Sequence, residues 1–215
     1  RIVEYRGNRQ VFGLDAPRAA RKEDTMGIAE SLKKRRSYYS IHKGLPVSAD
    51  RVAALVEELT ELVPDAFNMK SSRVVVAFEK RHDELWDAVY DAFGGKVARE
   101  KLDGFKAGAG TVLYFYDMAV VHALQERFPL YADNFPGWAL QSSGMLQLSV
   151  WSGLRELEIG ASLQHYNPVI DQRVRELFQL PESYVLVAQM PFGAIGAEPA
   201  PKEKENISPR VQIAR

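Results

Sequence analysis

The 215-residue chain contains no cysteine. That excludes disulfides, thiolate zinc sites, iron–sulfur ligation and cysteine nucleophiles. There is no net charge either, since 28 lysines and arginines balance 28 aspartates and glutamates. Zero balance gives no support to a general binder of nucleic acid. No apolar run approaches the roughly 20 residues of a membrane span. The first residues are charged and show no apolar signal stretch. A soluble, cytoplasmic protein is the expectation. Metal-binding spacing is missing too: His42, His82, His122 and His165 are scattered, with no HxH or HExxH. The glycine run Gly104, Gly108, Gly110 precedes a strand, whereas a dinucleotide fingerprint follows one. Gly94-Gly95-Lys96 lacks the upstream glycine of a P-loop, and no GxSxG elbow occurs. Tyr39 and Lys43 have dehydrogenase-like spacing, but no glycine fingerprint accompanies it.

The chain does have globular composition, 46% hydrophobic and 26% charged. Its length suits one domain with a sizeable core. Residues 1–25 have few apolar positions and no period. They read as an N-terminal extension, disordered or wrapped over a partner, or an artefact of the start site. Residues 26–215 read as the domain.

Ser48 is an N-cap signal before the stripe Val52, Leu55, Val56, Leu59, Leu62, a core-facing helix that ends at Pro64. Val74–Phe78, Thr111–Tyr116 and Tyr184–Met190 are strand-like, the last closed by Pro191-Phe192-Gly193. Helices are expected over 82–93, 118–127 and 169–178. The stretch 136–159 is apolar on nearly every side, with a centre of Ser142, Ser143, Gly144, Ser149, Ser152 and Gly153. It predicts a long helix buried in a core or an oligomer interface, with Gly160 as its C-terminal cap. The tail 197–210 reads as an extended arm. Helices outnumber strands without strict alternation, which favours an α+β fold.

Three segments carry possible chemistry. Lys33-Lys34-Arg35-Arg36-Ser37 falls where the first helix should end. It is either charge complementing the helix dipole or an anion site built on arginine forks and a serine hydroxyl. Asn68-Met69-Lys70-Ser71-Ser72-Arg73, before the first strand, is a solvated turn or a loop for a planar heterocycle with amide and carbonyl edges. Gly160–Pro168, containing Gln164 and His165, is a structural turn or one whose backbone N–H groups reach a ligand. Lys202 and Arg210 are solvated charges unless the arm returns to Arg35 and Arg36.

Taken together, the chain from Met26 onward resembles the nitroreductase family of FMN-dependent oxidoreductases, and within it the fatty-acid-repression-type branch. The matching segments are Arg35–Tyr39, Pro64–Arg73, Gly160–Pro168 and Pro191-Phe192-Gly193 followed by Glu198-Pro199 and Lys202. The resemblance implies an obligate homodimer, a mixed sheet flanked by helices, and FMN at the subunit interface. The stretch 136–159 then becomes an interface helix. Arg35 and Ser37, with Arg36 beside them, match phosphate and ribityl contacts. Asn68, Lys70, Ser71 and Ser72 match the loop at the pyrimidine ring and ribityl chain. Gln164 and His165 match the turn whose N–H faces flavin N5 and O4, and Lys202 and Arg210 match late phosphate contacts. Tyr38, Phe67 and His165 are candidate pocket walls. The implied reaction is ping-pong: NADH or NADPH reduces the flavin, which then reduces a nitroaromatic or quinone-like acceptor. Lys70 stands where relatives commonly have glutamine, and Tyr39 where many have a basic residue. A flavin-binding regulator of lipid or stress responses with little turnover is the alternative. A dimeric scaffold without FMN is another.

Overall fold

The computed structural model describes residues 27–215; the expected extension over 1–25 and the start at Met26 lie outside the described residues. The fold is α+β. Helix α1 (Ile28–Lys34) leads to a short strand β1 (Ile41–His42) and helix α2 (Ala49–Leu62). After a 3-10 turn at Ala66–Asn68 come β2 (Ser72–Phe78), α3 (Glu79–Ala92), α4 (Arg99–Lys106) and β3 (Gly110–Asp117). The rest is α5 (Met118–Arg127), a 3-10 turn, α6 (Phe135–Glu156), β4 (Ile159–Ala161), α7 (Asp171–Phe178) and β5 (Tyr184–Ile195).

The strands pair in the order β1-β5-β3-β2, with β4 also on β5, and every ladder is antiparallel. The parallel component expected of a mixed sheet is confined, among the described residues, to an isolated Ser37–Ala161 bridge. One sheet face packs on α2 and α6 through Val52, Val56, Val150, Leu154 and Met190. The other packs on α3, α4 and α7 through Leu85, Trp86, Leu102, Phe105 and Val174. A smaller cluster (Met69, Val121, Phe135, Ala139) seats the start of α6. The α2 stripe goes inward at Val52, Leu55 and Val56 and partly at Leu59, whereas Leu62, expected on it, is exposed at the end of the helix; Ser48 accepts from the Arg51 N–H as its cap.

Two boundaries differ from expectation. Strand β5 does not stop at Pro191. The proline has no amide proton to give, but its carbonyl accepts from Ser162 and the next carbonyl, of Phe192, accepts from Ala109, so the strand runs on to Ile195. Gly160 is not the cap of α6. The helix ends earlier, Glu158 takes the left-handed backbone (φ 59), and Gly160 lies in β4. Its missing side chain has another use: a Cβ there would sit 2.9 Å from the Tyr38 Cβ, so glycine lets β4 press against the segment after α1. Strands β1 and β4 and helix α4 were not expected. All are short, and α4 shows only Leu102 and Phe105 as a buried face.

Under the sheet lies a closed polar network. His82 is wholly buried, with Nδ1 2.9 Å from the Thr111 hydroxyl and Nε2 3.2 Å from the Lys106 carbonyl. The Trp86 indole donates to the same hydroxyl at 3.0 Å. One arrangement satisfies all of them. Neutral His82 donates from Nε2 to the carbonyl, and Thr111 donates to Nδ1 while accepting from Trp86. Burial accordingly lowers the His82 pKa from its ordinary 6.5.

Two outcomes follow. Thr111→Val orphans two buried groups and is expected to cost about 2–4 kcal/mol in denaturant melts. Because His82 binds its proton more weakly when folded, its share of stability is complete above pH 6.5 and falls as pH drops below that value. A His82→Asn variant is expected to show a flatter dependence of the melting midpoint between neutral and mildly acid pH.

Candidate functional site

The basic segment forms one side of a cavity of about 630 Å³ lined by Arg35, Arg36, Ser37 and Lys202, with Ala29, Leu32 and Lys33. Helix α1 ends at Lys34, so the backbone turns extended at Arg35 (ψ 117) and sends these side chains off the helix end. The Arg35 guanidinium lies 4.1 Å from the Trp151 ring centroid of α6. Its Nε is buried and has no hydrogen-bond partner. Burial and the neighbouring Arg36 both lower its pKa, the signature of a cation short of countercharge. Arg36 Nη2 donates to the Ala200 carbonyl at 2.6 Å. Among the described residues, no carboxylate pairs with Arg35, Arg36 or Lys202. Arginine forks beside a lysine and a serine hydroxyl, without a carboxylate, make an anion site. The C-terminal arm therefore does return to the cluster, as far as Lys202. Arg210 does not join it here and pairs instead with Glu205 at 2.8 Å.

Next to this cavity runs the Gly160–Pro168 turn. Ser37 bridges Ala161, and the Trp151 indole donates to the Ala161 carbonyl at 3.1 Å. Gln164 is nearly buried and bonded through both backbone groups to Gln189 (2.7 and 2.9 Å). His165 is exposed, and its backbone N–H has no partner among the described residues. A rigid, doubly bonded residue thus presents a free donor at the next position.

The third segment lines a different, larger cleft of about 740 Å³ between α2 and the edge strand β2, to which Asn68, Lys70 and Ser72 contribute. Phe67, Asn68 and Lys70 all have positive φ (56, 50 and 52°). Non-glycine residues there cost roughly 1–3 kcal/mol each and persist only where surroundings dictate them. Asp65 is one dictating group: a single carboxylate oxygen accepts from the Ser71 N–H (3.0 Å) and hydroxyl (3.1 Å). Arg73 is the other, donating to the Lys70 carbonyl at 2.7 Å while held by Asp117 at 3.0 Å and the Tyr184 hydroxyl at 3.2 Å. Ser142 of α6 donates to the Pro64 carbonyl. Ser71, expected as a cofactor contact, is fully buried with its hydroxyl used on Asp65, so its part is to shape the loop. The strain is spent on aiming Phe67, Asn68 and Lys70 outward.

Phe67 is 48% exposed and stacks on Trp138 (5.6 Å, 20°), with Tyr131 tilted beside it at 5.8 Å, giving an aromatic patch. Tyr38 corrects the expectation of a pocket aromatic. It is 2% exposed, pinned against Gly160, and its hydroxyl donates to Glu198 and accepts from Arg155. Asp65 and Glu198 lie in matching segments of the sequence without a role of their own, and Trp151 and Arg155 carry no local signal, because what they do depends on partners that only the fold brings to them.

A family model described as the nitroreductase family matches residues 32–194. The chain belongs to the nitroreductase family. It is 31% identical to the Saccharomyces cerevisiae nitroreductase FRM2 over 83% of this chain and 93% of that protein. It is likewise 31% identical to the yeast nitroreductase homologue HBN1, over 86% of this chain and 95% of that protein. Among solved structures, the nitroreductase CinD from Lactococcus lactis in complex with chloramphenicol superimposes with a TM-score of 0.84 at 40% identity, covering 88% of this chain and all of that one. CinD has also been solved with nicotinic acid and with 4-nitrophenol. The family is one of oxidoreductases, which places the anion cavity, the free N–H and the strained loop in a redox protein.

Asp65→Ala is expected to remove about 1–3 kcal/mol of stability, the usual loss when a buried donor is orphaned. Amide hydrogen exchange at residues 67–71 is expected to speed up, while exchange in α3 stays unchanged.

Proposed function

We propose that the protein is an FMN-dependent oxidoreductase, working as a homodimer, that is reduced by NADH or NADPH and reduces nitroaromatic or quinone-like acceptors. The observation that carries this reading is the Arg35 cavity: three cations without a carboxylate, one of them with a buried, unpartnered N–H, beside a turn with a free backbone donor. A phosphate ester attached to a polar heterocycle has the complementary chemistry.

Arg35, Arg36, Ser37 and Lys202 would hold the FMN phosphate. The His165 N–H, kept in place by the Gln164–Gln189 bonds, is the donor available to the ring edge. Asn68 and Lys70 would supply donors to the pyrimidine edge, and Ser72 to the ribityl chain. Bound there, FMN supplies the hydride chemistry, accepting from the nicotinamide and giving to the acceptor. The protein's own share is orientation, exclusion of water and charge. Phe67 and Trp138 offer a flat apolar face to a planar acceptor. Planar aromatic rings are also what the L. lactis relative was solved with.

In one chain the phosphate cavity and the Asn68 loop are separate clefts tied to opposite halves of α6, through Trp151 and Ser142. Nine residues of helix put them about 13 Å apart along its axis. From residue 137 to 148, α6 exposes a stripe without charge: Gly137, Leu140, Gln141, Gly144, Met145 and Leu148. Spacings of three and four make this one face, with glycines permitting close approach. Two copies pairing there about a twofold axis bring the phosphate cavity of one to the loop of the other, so a full site needs both.

Purified protein is expected to be yellow, with oxidised-flavin absorption bands, and to oxidise NADH or NADPH when a nitro or quinone acceptor is present. Colourless protein that takes up no added FMN overturns the proposal. Arg35→Ala is expected to weaken FMN binding by about tenfold or more, as for loss of a charged phosphate contact, with the dimer intact by light scattering. Lys70→Gln removes a cation beside the ring and is expected to lower the flavin midpoint potential; an unchanged potential refutes that role.

A further inference from the structure

Lys202 lies 165 residues along the chain from Ser37, on an arm with no helix or strand of its own. Something must hold it at the anion cavity, since a free arm would lose its position to chain entropy. The structure shows two fastenings just ahead of it. The buried Tyr38 hydroxyl donates to Glu198 Oε2 at 3.0 Å. Two residues on, the Ala200 carbonyl accepts from Arg36 at 2.6 Å. Pro199 and Pro201 flank that carbonyl and stiffen the run from Glu198 to Lys202.

Tyr38 is itself fixed. Its ring is packed against Gly160, and its hydroxyl oxygen accepts from Arg155 Nε at 3.1 Å. Arg155 is anchored by Glu158 at 2.8 Å, the residue with left-handed backbone that ends α6. A donor bonded to its oxygen makes the phenol a better donor in turn, so Arg155 strengthens the Tyr38–Glu198 bond. The chain of contacts runs from the end of α6 through Arg155, Tyr38 and Glu198 to the arm.

We propose that Arg155, Tyr38 and Glu198 form a latch that positions Lys202 at the phosphate cavity, so that the protein selects the phosphorylated flavin over the unphosphorylated one. These are positioning residues, acting through Lys202. The inference rests on the FMN reading above. It makes a demand that a merely structural role does not: weakening the latch must cost affinity for FMN and leave riboflavin, which has no phosphate, alone.

The test is titration of flavin-stripped full-length protein with FMN and with riboflavin, followed by fluorescence quenching. Glu198→Ala, Tyr38→Phe and Lys202→Ala are each expected to weaken FMN by about five- to tenfold, the scale of one charge-assisted hydrogen bond. Riboflavin affinity is expected to stay within about twofold, and Glu198→Gln, which keeps an acceptor for Tyr38, to stay near the parent. The Glu198→Ala/Lys202→Ala double variant is expected to be no worse than Lys202→Ala alone, since both remove one contact. Trypsin cleavage after Lys202 is expected to quicken in Glu198→Ala. Glu198 is exposed, so this variant reports even if Tyr38→Phe fails to fold. Equal loss for both flavins, no loss for either, or fully additive effects overturns the latch while leaving the FMN reading standing. A parent protein that binds neither flavin overturns both.

Discussion

A cation cluster without countercharge is the constraint around which this molecule is arranged. Arg35 sits over the Trp151 ring with one nitrogen buried and unmet, Arg36 is beside it, and Lys202 comes from the far end of the chain. Like charges gathered in a half-buried place raise the free energy of the empty site, and an anion lowers it. The fold spends considerable structure on keeping the charges there. Trp151 is held by the Ala161 carbonyl, Ala161 by Tyr38 and Ser37, and the arm by Tyr38 and Arg36.

Helix α6 links this cluster to everything else. Its inner face completes the core, its first half anchors the strained loop through Ser142, and its second half carries Trp151 and Arg155. Its outer face is uncharged and open. A helix that is apolar all round has to be covered on both sides, and here the chain covers one. The same element that shapes the two clefts thus also carries the uncharged face on which the proposed dimer rests.

Strain and satisfaction are distributed unevenly in this structure. The His82–Thr111–Trp86 network under the sheet has every polar atom paired. The loop at Phe67–Lys70 has three residues in left-handed backbone, held by Asp65 and Arg73. The fold tolerates such a loop because the loop's anchors, Ser71 and Met69, are themselves buried.

By itself the sequence determined the α+β class, the α2 stripe, the main strands and the composition of the basic, amide-rich and turn segments. Those depend on local periodicity and residue chemistry, which a chain carries without knowing its partners. The resemblance further ordered the segments into a nitroreductase pattern. What only the tertiary structure decided is who meets whom. It buried Tyr38 and bonded its hydroxyl to Arg155 and Glu198, carried β5 through Pro191, and ended α6 at Glu156, with Glu158 rather than Gly160 in the left-handed backbone. It brought Lys202 to Arg35 but left Arg210 with Glu205, and put the Asn68 loop in a separate cleft. These outcomes depend on contacts between residues far apart in sequence, where burial and hydrogen-bond satisfaction overrule local preference, and no spacing along the chain encodes them.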